Sequence, residues 1–299
     1  TIIQAGALSI TNGDNFSSGF IAIQNAGRLI VSSSTTLSNN VMLLSANSSV
    51  SVGSGDSLTL SGVVSGTGSL IKADSGTLIL SGSNTYSGAT VINGGTLSIA
   101  GDGNLGTGNL QLQDGTLRVT GAGTIDNAIV LGNGLFVNTI ETTNDTTLSG
   151  VISGSGDVIK TGSGALTLSA SNSATGTLTA SAGTVLIDGS YDGQVSAQST
   201  GTVRGNGTLN GLVAIFSGGT LAAGSSPGSL TINGNLQLET GSTLAVDISG
   251  TTAGTADSSV PTGAAGPTGP AGADGINGAE GADGATGPTG PAGANGADG

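Results

Sequence analysis

The sequence predicts an all-β repeat solenoid followed by a collagen-like triple-helical stalk, on three observations. The chain of 299 residues holds 57 glycines but only 2% aromatic and 8% charged residues. Residues 60–72 recur without a gap at residues 148–160, which is 88 residues later. From Gly263 to Gly299 every third residue is glycine. A composition so far from that of ordinary globular domains, joined to a long internal period, indicates repeat architecture.

Short runs of alternating polar and apolar residues predict the strands of the solenoid. They are bounded by Gly, Asn, Asp and Ser, which favour turns, and no useful helical periodicity interrupts them. A gapless repeat favours stacked coils over a sandwich or a barrel, because stacking returns the same turns to the same corners. Clear examples are residues 77–80, 96–99, 116–119, 229–232 and 243–246.

The five basic residues suggest a coil length. Their spacings of 42 to 46 residues are about half of the 88-residue period. With about 22 residues to a coil, the period would hold four coils, and the basic residues would lie on a similar side of every second coil. The alternative is chance spacing among few charges. These residues are Arg28, Lys72, Arg118, Lys160 and Arg204.

The composition changes after the solenoid. We expect a solenoid over residues 1–248, a Ser/Thr/Gly linker over residues 249–262 and a collagen-like Gly-X-Y repeat over residues 263–299. Only glycine fits at the axis of three wound polyproline-II chains, so the unbroken register predicts a homotrimer through residues 263–299. The alternative is a disordered Gly/Ala/Pro linker in a monomer.

The residues that are missing exclude most chemistry. The chain has no Cys and no His, so thiolate metal sites and the commonest general base are absent. The formal net charge of −13 argues against a nucleic-acid partner. No apolar run reaches the length of about 20 residues that spans a bilayer. We therefore assign no catalytic, cofactor-binding or metal-binding residue, and expect neither a cofactor nor a transmembrane segment in these residues.

Parallel β-helices include polysaccharide lyases and hydrolases, so the acidic residues need attention. Catalysis of that kind requires clustered carboxylates, often with calcium. The closest groupings are Asp188 with Asp192 and Glu141 with Asp145, all in turn-like contexts. We interpret them as solvated loop acids. A threonine-rich face could also bind ice, but the sequence does not predict a flat Thr-x-Thr column in one register.

Residues 76–99 resemble the β-strand repeat of bacterial autotransporter passenger domains. Residues 218–248 resemble the segment near the end of such passengers. The resemblance extends loosely over residues 1–250. It implies a right-handed parallel β-helix in which Tyr86 caps or packs at a corner.

Together these observations predict a non-catalytic extracellular or cell-surface protein. We expect a structural fibre or adhesin-like rod that self-associates and contacts a host-cell, matrix or glycan surface. A phage or virus fibre is the alternative, since such fibres also combine β-solenoids with collagen-like segments. A polysaccharide-processing β-helix is a third and less favoured class.

Overall fold

The structure is a computed structural model that describes residues 1–12, 16, 19–224 and 228–246. The chain divides into two units, Thr1–Ser249 and Gly250–Gly299. The predicted linker and the Gly-X-Y repeat lie outside the described residues, so the domain boundaries and the triple helix stay predictions.

The described residues form short strands joined by tight corners. In chain order the strands are β1 (Ile2–Gln4), β2 (Ala7–Ile10), β3 (Ile21–Gln24), β4 (Arg28–Val31), β5 (Thr35–Leu37), β6 (Val41–Leu43), β7 (Ser48–Val52), β8 (Ser57–Leu60), β9 (Val64–Gly66), β10 (Leu70–Ala73), β11 (Thr77–Leu80), β12 (Thr90–Asn93), β13 (Thr96–Ile99), β14 (Leu110–Leu112), β15 (Thr116–Val119), β16 (Gly123–Ile125), β17 (Ile129–Leu131), β18 (Val137–Thr142), β19 (Thr146–Leu148), β20 (Ile152–Gly154), β21 (Asp157–Thr161), β22 (Ala165–Leu168), β23 (Ser171–Asn172), β24 (Leu178–Ala180), β25 (Thr184–Ile187), β26 (Ser190–Tyr191), β27 (Val195–Ala197), β28 (Thr202–Arg204), β29 (Thr208–Leu209), β30 (Val213–Ile215), β31 (Thr220–Ala222), β32 (Thr231–Ile232), β33 (Leu236–Leu238) and β34 (Thr243–Ala245). One 3₁₀ turn covers Asp102–Asn104.

Every strand pairing recorded among these strands is parallel, and each strand pairs with the equivalent strand of the coils before and after it. The result is a parallel β-solenoid of about 12 turns, as the sequence predicts. The sheets run along the solenoid in five sets. Their orders are β1-β3-β6-β9, β2-β4-β7-β10-β12-β14-β17-β20, β5-β8-β11-β13-β15-β18-β21-β24-β27-β30-β33, β16-β19-β22-β25-β28-β31-β34 and β23-β26-β29-β32.

The core is made mostly of inward-facing columns to which successive coils each add one aliphatic side chain. Leu58, Leu78, Leu97, Leu117 and Ile140 stand in register on five successive coils, and each is fully buried. Alternation places the residues between them on the outer face. Burying one such side chain contributes about 2 kcal/mol.

The prediction of a regular 22-residue coil is wrong. Paired residues are separated by 17 residues where Leu178 meets Val195 and by 23 where Ile129 meets Ile152. The coils differ because their corners differ in length while the strands keep their register. The 88-residue period is consequently not a whole number of coils.

The repeat copies therefore lie on different faces of the solenoid. β10 belongs to the eight-stranded sheet, whereas its sequence equivalent β21 belongs to the eleven-stranded sheet. In the eight-stranded sheet, β20 lies four coils beyond β10. β21 is the strand that follows β20 in the chain, so the repeat spans four coils and one further strand. The basic residues thus do not share one side, and that prediction is also wrong.

Candidate functional site

Asp188 and Asp192 each form a hydrogen bond to the next coil. An Asp188 carboxylate oxygen accepts a hydrogen bond from the backbone N–H of Asn206 at 3.3 Å, and an Asp192 carboxylate oxygen accepts one from the Asn210 amide at 2.7 Å. Both aspartates are exposed. Their partners lie one coil further on, so the two carboxylates do not form a catalytic pair.

The second acidic grouping is also divided between partners. Glu141 accepts a hydrogen bond from Arg118 Nε at 2.8 Å, and an Asp145 carboxylate oxygen accepts one from the Ala165 N–H at 2.8 Å. Within the described ranges, no three His, Cys, Asp or Glu residues come together as metal ligands would. The geometry of these acids is that of structural hydrogen-bond acceptors.

Lys72 is the first of two buried ammonium groups that the sequence analysis did not identify. Its side chain is fully buried. Its Nζ donates to the carbonyl oxygens of Ala73 at 2.9 Å, Asp74 at 2.6 Å and Gly94 at 3.2 Å. We call such a set of three carbonyls a carbonyl cradle. Because Gly94 belongs to the next coil, the ammonium joins two coils at one corner.

Lys160 repeats this arrangement 88 residues later. It is fully buried, and its Nζ donates to the carbonyl oxygens of Thr161 at 2.7 Å, Gly162 at 2.9 Å and Ala182 at 3.2 Å. Burial lowers the pKa of both Lys72 and Lys160 to about 8, and the nearby carboxylates of Asp74 and Glu141 oppose that shift only in part.

Both tyrosines are buried as well. The hydroxyls of Tyr86 and Thr90 are hydrogen-bonded at 2.6 Å, and the Tyr191 hydroxyl donates to the Gly176 carbonyl at 3.2 Å. Burial raises the pKa of each phenol. Tyr86 is therefore fully buried, and neither ring is available as a stacking platform for a ligand.

Two buried asparagines continue the pattern of ties between coils. The side-chain oxygen of Asn84 accepts from the Val64 N–H at 2.7 Å, and that of Asn172 accepts from the Ile152 N–H at 2.8 Å. These pairs are also 88 residues apart. The conserved spacing of buried polar groups shows that the internal repeat preserves polar ties along with aliphatic columns.

Outward-facing threonines form columns on the surface. Thr77, Thr96, Thr116 and Thr139 stand in register on four successive coils. The expectation that threonines hold no common register is wrong for this column. The neighbouring outward column contains Ile79, Ser98, Arg118 and Glu141, so the paired Thr-x-Thr array required for an ice-binding face is not formed there.

Two segments of the chain match a known family of repeats. Residues 70–99 and 158–187 match the Passenger-associated-transport-repeat family. The chain is similar to autotransporter passengers. Each matched segment of the passenger-type repeat contains one buried lysine and the carbonyl of the next coil that completes its cradle.

A curated relative extends the similarity over most of the solenoid. The "Adhesin BmaC autotransporter" of Brucella suis biovar 1 is 33% identical over 240 residues, which cover 77% of this chain. The chain spans 6% of the length of that relative. No solved structure matches the chain. Among the residues that the structure describes, no helix has the length and hydropathy of a membrane span.

The placement of the basic residues leads to a prediction about proteolysis. All five lie within strands, namely β4, β10, β15, β21 and β28. Each of these strands is paired with a strand of the coil before it and a strand of the coil after it. A protease must bind a segment that is detached from such neighbours, so trypsin cannot cut these sites without local unfolding. We expect the native solenoid to give no tryptic fragments in hours at room temperature, as checked by mass spectrometry.

A Glu-specific protease provides the matched control. Glu239 is exposed and follows β33, so we expect rapid cleavage there under the same conditions. Native tryptic fragments ending at Lys72 or Lys160 would contradict the prediction.

Proposed function

We propose that this chain is a non-catalytic, adhesin-like surface protein whose solenoid serves as an extended binding surface. The observation that carries the proposal is the similarity of 240 residues to an adhesin autotransporter, together with the two passenger-type repeats. The absence of His and Cys and the division of the acids among structural partners support a non-catalytic role. We place the protein at the cell surface or outside the cell, where passengers act.

The finer architecture is part of this proposal. We infer a right-handed solenoid over residues 1–248, a linker over residues 249–262 and a homotrimer wound through the Gly-X-Y register of residues 263–299. Glycine at every third position is the support for the triple helix. Three joined solenoids would gain avidity for a host-cell, matrix or glycan surface without a tight individual site.

Adhesion is tested with protein-coated beads. Beads coated with the full chain are compared with beads coated with residues 1–262, on cultured host cells and on matrix-coated and glycan-coated surfaces. We expect both to adhere above an albumin control. Failure of both on every surface would overturn the adhesin proposal.

Sedimentation velocity in the cold tests the trimer separately. We expect an elongated trimer for the full chain and a monomer for residues 1–262. A monomeric full chain would contradict the trimer proposal. It would leave the adhesin proposal intact, because adhesion is measured separately with the beads.

A further inference from the structure

We propose that Lys72 and Lys160 specify the register in which neighbouring coils stack, because each lysine accepts only the neighbour that completes its carbonyl cradle. Each ammonium bonds two carbonyls at its own corner and one carbonyl of the next coil. They are the only lysines in the chain. Their role in this proposal is positional and does not depend on what the solenoid binds.

Apolar stacking alone specifies this register weakly. Several strands present the same order of an outward threonine, an inward aliphatic residue, an outward residue and an inward aliphatic residue, so one can replace another at little loss of buried area. The repeat itself demonstrates the exchange, since equivalent segments occupy different sheets. A sequence with many near-equal pairings has competing compact states. The interchangeable strands include β11, β13, β15 and β25.

Packing alone does not require a lysine at the corners where Lys72 and Lys160 lie. One coil beyond Lys72, Ile92 holds the register position directly above it. There the Ile92 side chain lies against Gly115, just as the Lys72 side chain lies against Gly95. An aliphatic side chain therefore fills this kind of corner. What the lysine adds is a requirement for three acceptors.

That requirement makes a wrong neighbour costly. A neighbour without the third carbonyl leaves one N–H of the buried ammonium without an acceptor, which is unfavourable, whereas a buried aliphatic group tolerates many neighbours. The residue of the next coil that faces the ammonium must also be a glycine, which has no Cβ atom. An ideal Cβ on Gly95 would stand 2.7 Å from Lys72 Nζ, and one on Gly183 would stand 3.0 Å from Lys160 Nζ. A coil that presents any larger residue at this point would displace the ammonium.

The two lysines act on different parts of the solenoid. Lys72 lies in the eight-stranded sheet between Val50 and Ile92, and Lys160 lies in the eleven-stranded sheet between Ile140 and Ala180. Each is therefore flanked by aliphatic residues in its own column. A shift of one coil would carry the lysine into a position where an aliphatic residue now stands. The Lys72 and Lys160 cradles are more than four coils apart, so together they constrain the stacking order of all the coils between them.

The experiment compares the full chain with the Lys72→Met and Lys160→Met variants, singly and combined, and with Leu97→Met as a control. Leu97 is fully buried in the same repeat, and its change leaves the ammonium groups untouched. Each protein is unfolded in urea, refolded and studied by hydrogen exchange with mass spectrometry. The urea midpoint is measured in parallel.

We expect the double Met variant to keep or raise the urea midpoint while its peptides show two or more exchange populations. The wild type and Leu97→Met should each show one population, and each single variant should regain uniform exchange on the side of the lysine that remains. A double variant that refolds to one population identical to the wild type would overturn the proposal. So would a double variant that fails to fold while Leu97→Met folds, because the lysines would then supply stability and not register.

Discussion

The substitution Gly95→Ala is expected to destabilise the solenoid by about 3 kcal/mol, because it combines backbone strain with a collision at the Lys72 cradle. Gly95 has φ of +65°, a conformation that L side chains rarely adopt. An added Cβ would overlap the backbone oxygen of Gly76 and approach Lys72 Nζ to 2.7 Å. Neither a backbone oxygen nor a buried ammonium can move aside cheaply.

The chain offers a repeat test and a control for this prediction. Gly183 has φ of +67° and stands against Lys160 in the same way, so Gly183→Ala should cost a similar amount. Gly101 has extended backbone with φ of −179° and nothing within 4 Å of an added Cβ. Gly101→Ala should therefore change stability by less than about 0.5 kcal/mol.

Urea unfolding followed by circular dichroism gives the three free energies of unfolding. The two damaging changes are far apart, so their effects should add in the double variant. Equal stability of the Gly95→Ala and Gly101→Ala proteins would show that the corner can open without disturbing the cradle.

The fold class was accessible from the sequence because the repeat is gapless and the alternation is regular. Residues 77–80 and 96–99 form β11 and β13 with the inward leucines that alternation requires. The coil length was not accessible in this way. It depends on how many residues each corner takes, and small polar residues allow corners of several lengths without leaving a signal in the pattern.

The buried lysines were predictable in part. In β10 the alternation that buries Leu70 also buries Lys72, and the same parity holds for Val158 and Lys160 in β21. The positive charge of a lysine favours an exposed side chain. The alternation within the strand and the recurrence 88 residues later favour a buried one. Parity prevailed because corner carbonyls in two coils supply the acceptors that water would otherwise provide. Those acceptors are backbone groups, and the sequence does not show where they converge.

The free energy of unfolding is expected to rise between about pH 8 and pH 10. Burial lowers the folded-state pKa of Lys72 and Lys160 from 10.5 to about 8. In this window the unfolded chain keeps both protons and the native chain releases them, so unfolding takes up protons and is opposed by rising pH. Below pH 8 both states are protonated, and the lysines contribute no dependence on pH.

Above pH 10 the tyrosines should reverse the trend. Burial raises the pKa of Tyr86 and Tyr191 above the ordinary 10.0, so the native phenols keep protons that the unfolded phenols lose. Unfolding then releases protons and is favoured by rising pH. Because these are the only two tyrosines in the chain, as Lys72 and Lys160 are its only lysines, a maximum near pH 10 has few other contributors.

Urea midpoints measured from pH 7 to pH 11 test both limbs of this curve. The double Met variant at Lys72 and Lys160 should lose the rise and keep the fall, since it retains the tyrosines and the terminal amine. A wild-type midpoint that falls steadily from pH 8 would contradict the prediction. It would mean that the three carbonyls and the neighbouring carboxylate stabilise each ammonium by more than burial costs. The cradle would then be a source of stability, and the same result would weaken the case for a role in register alone.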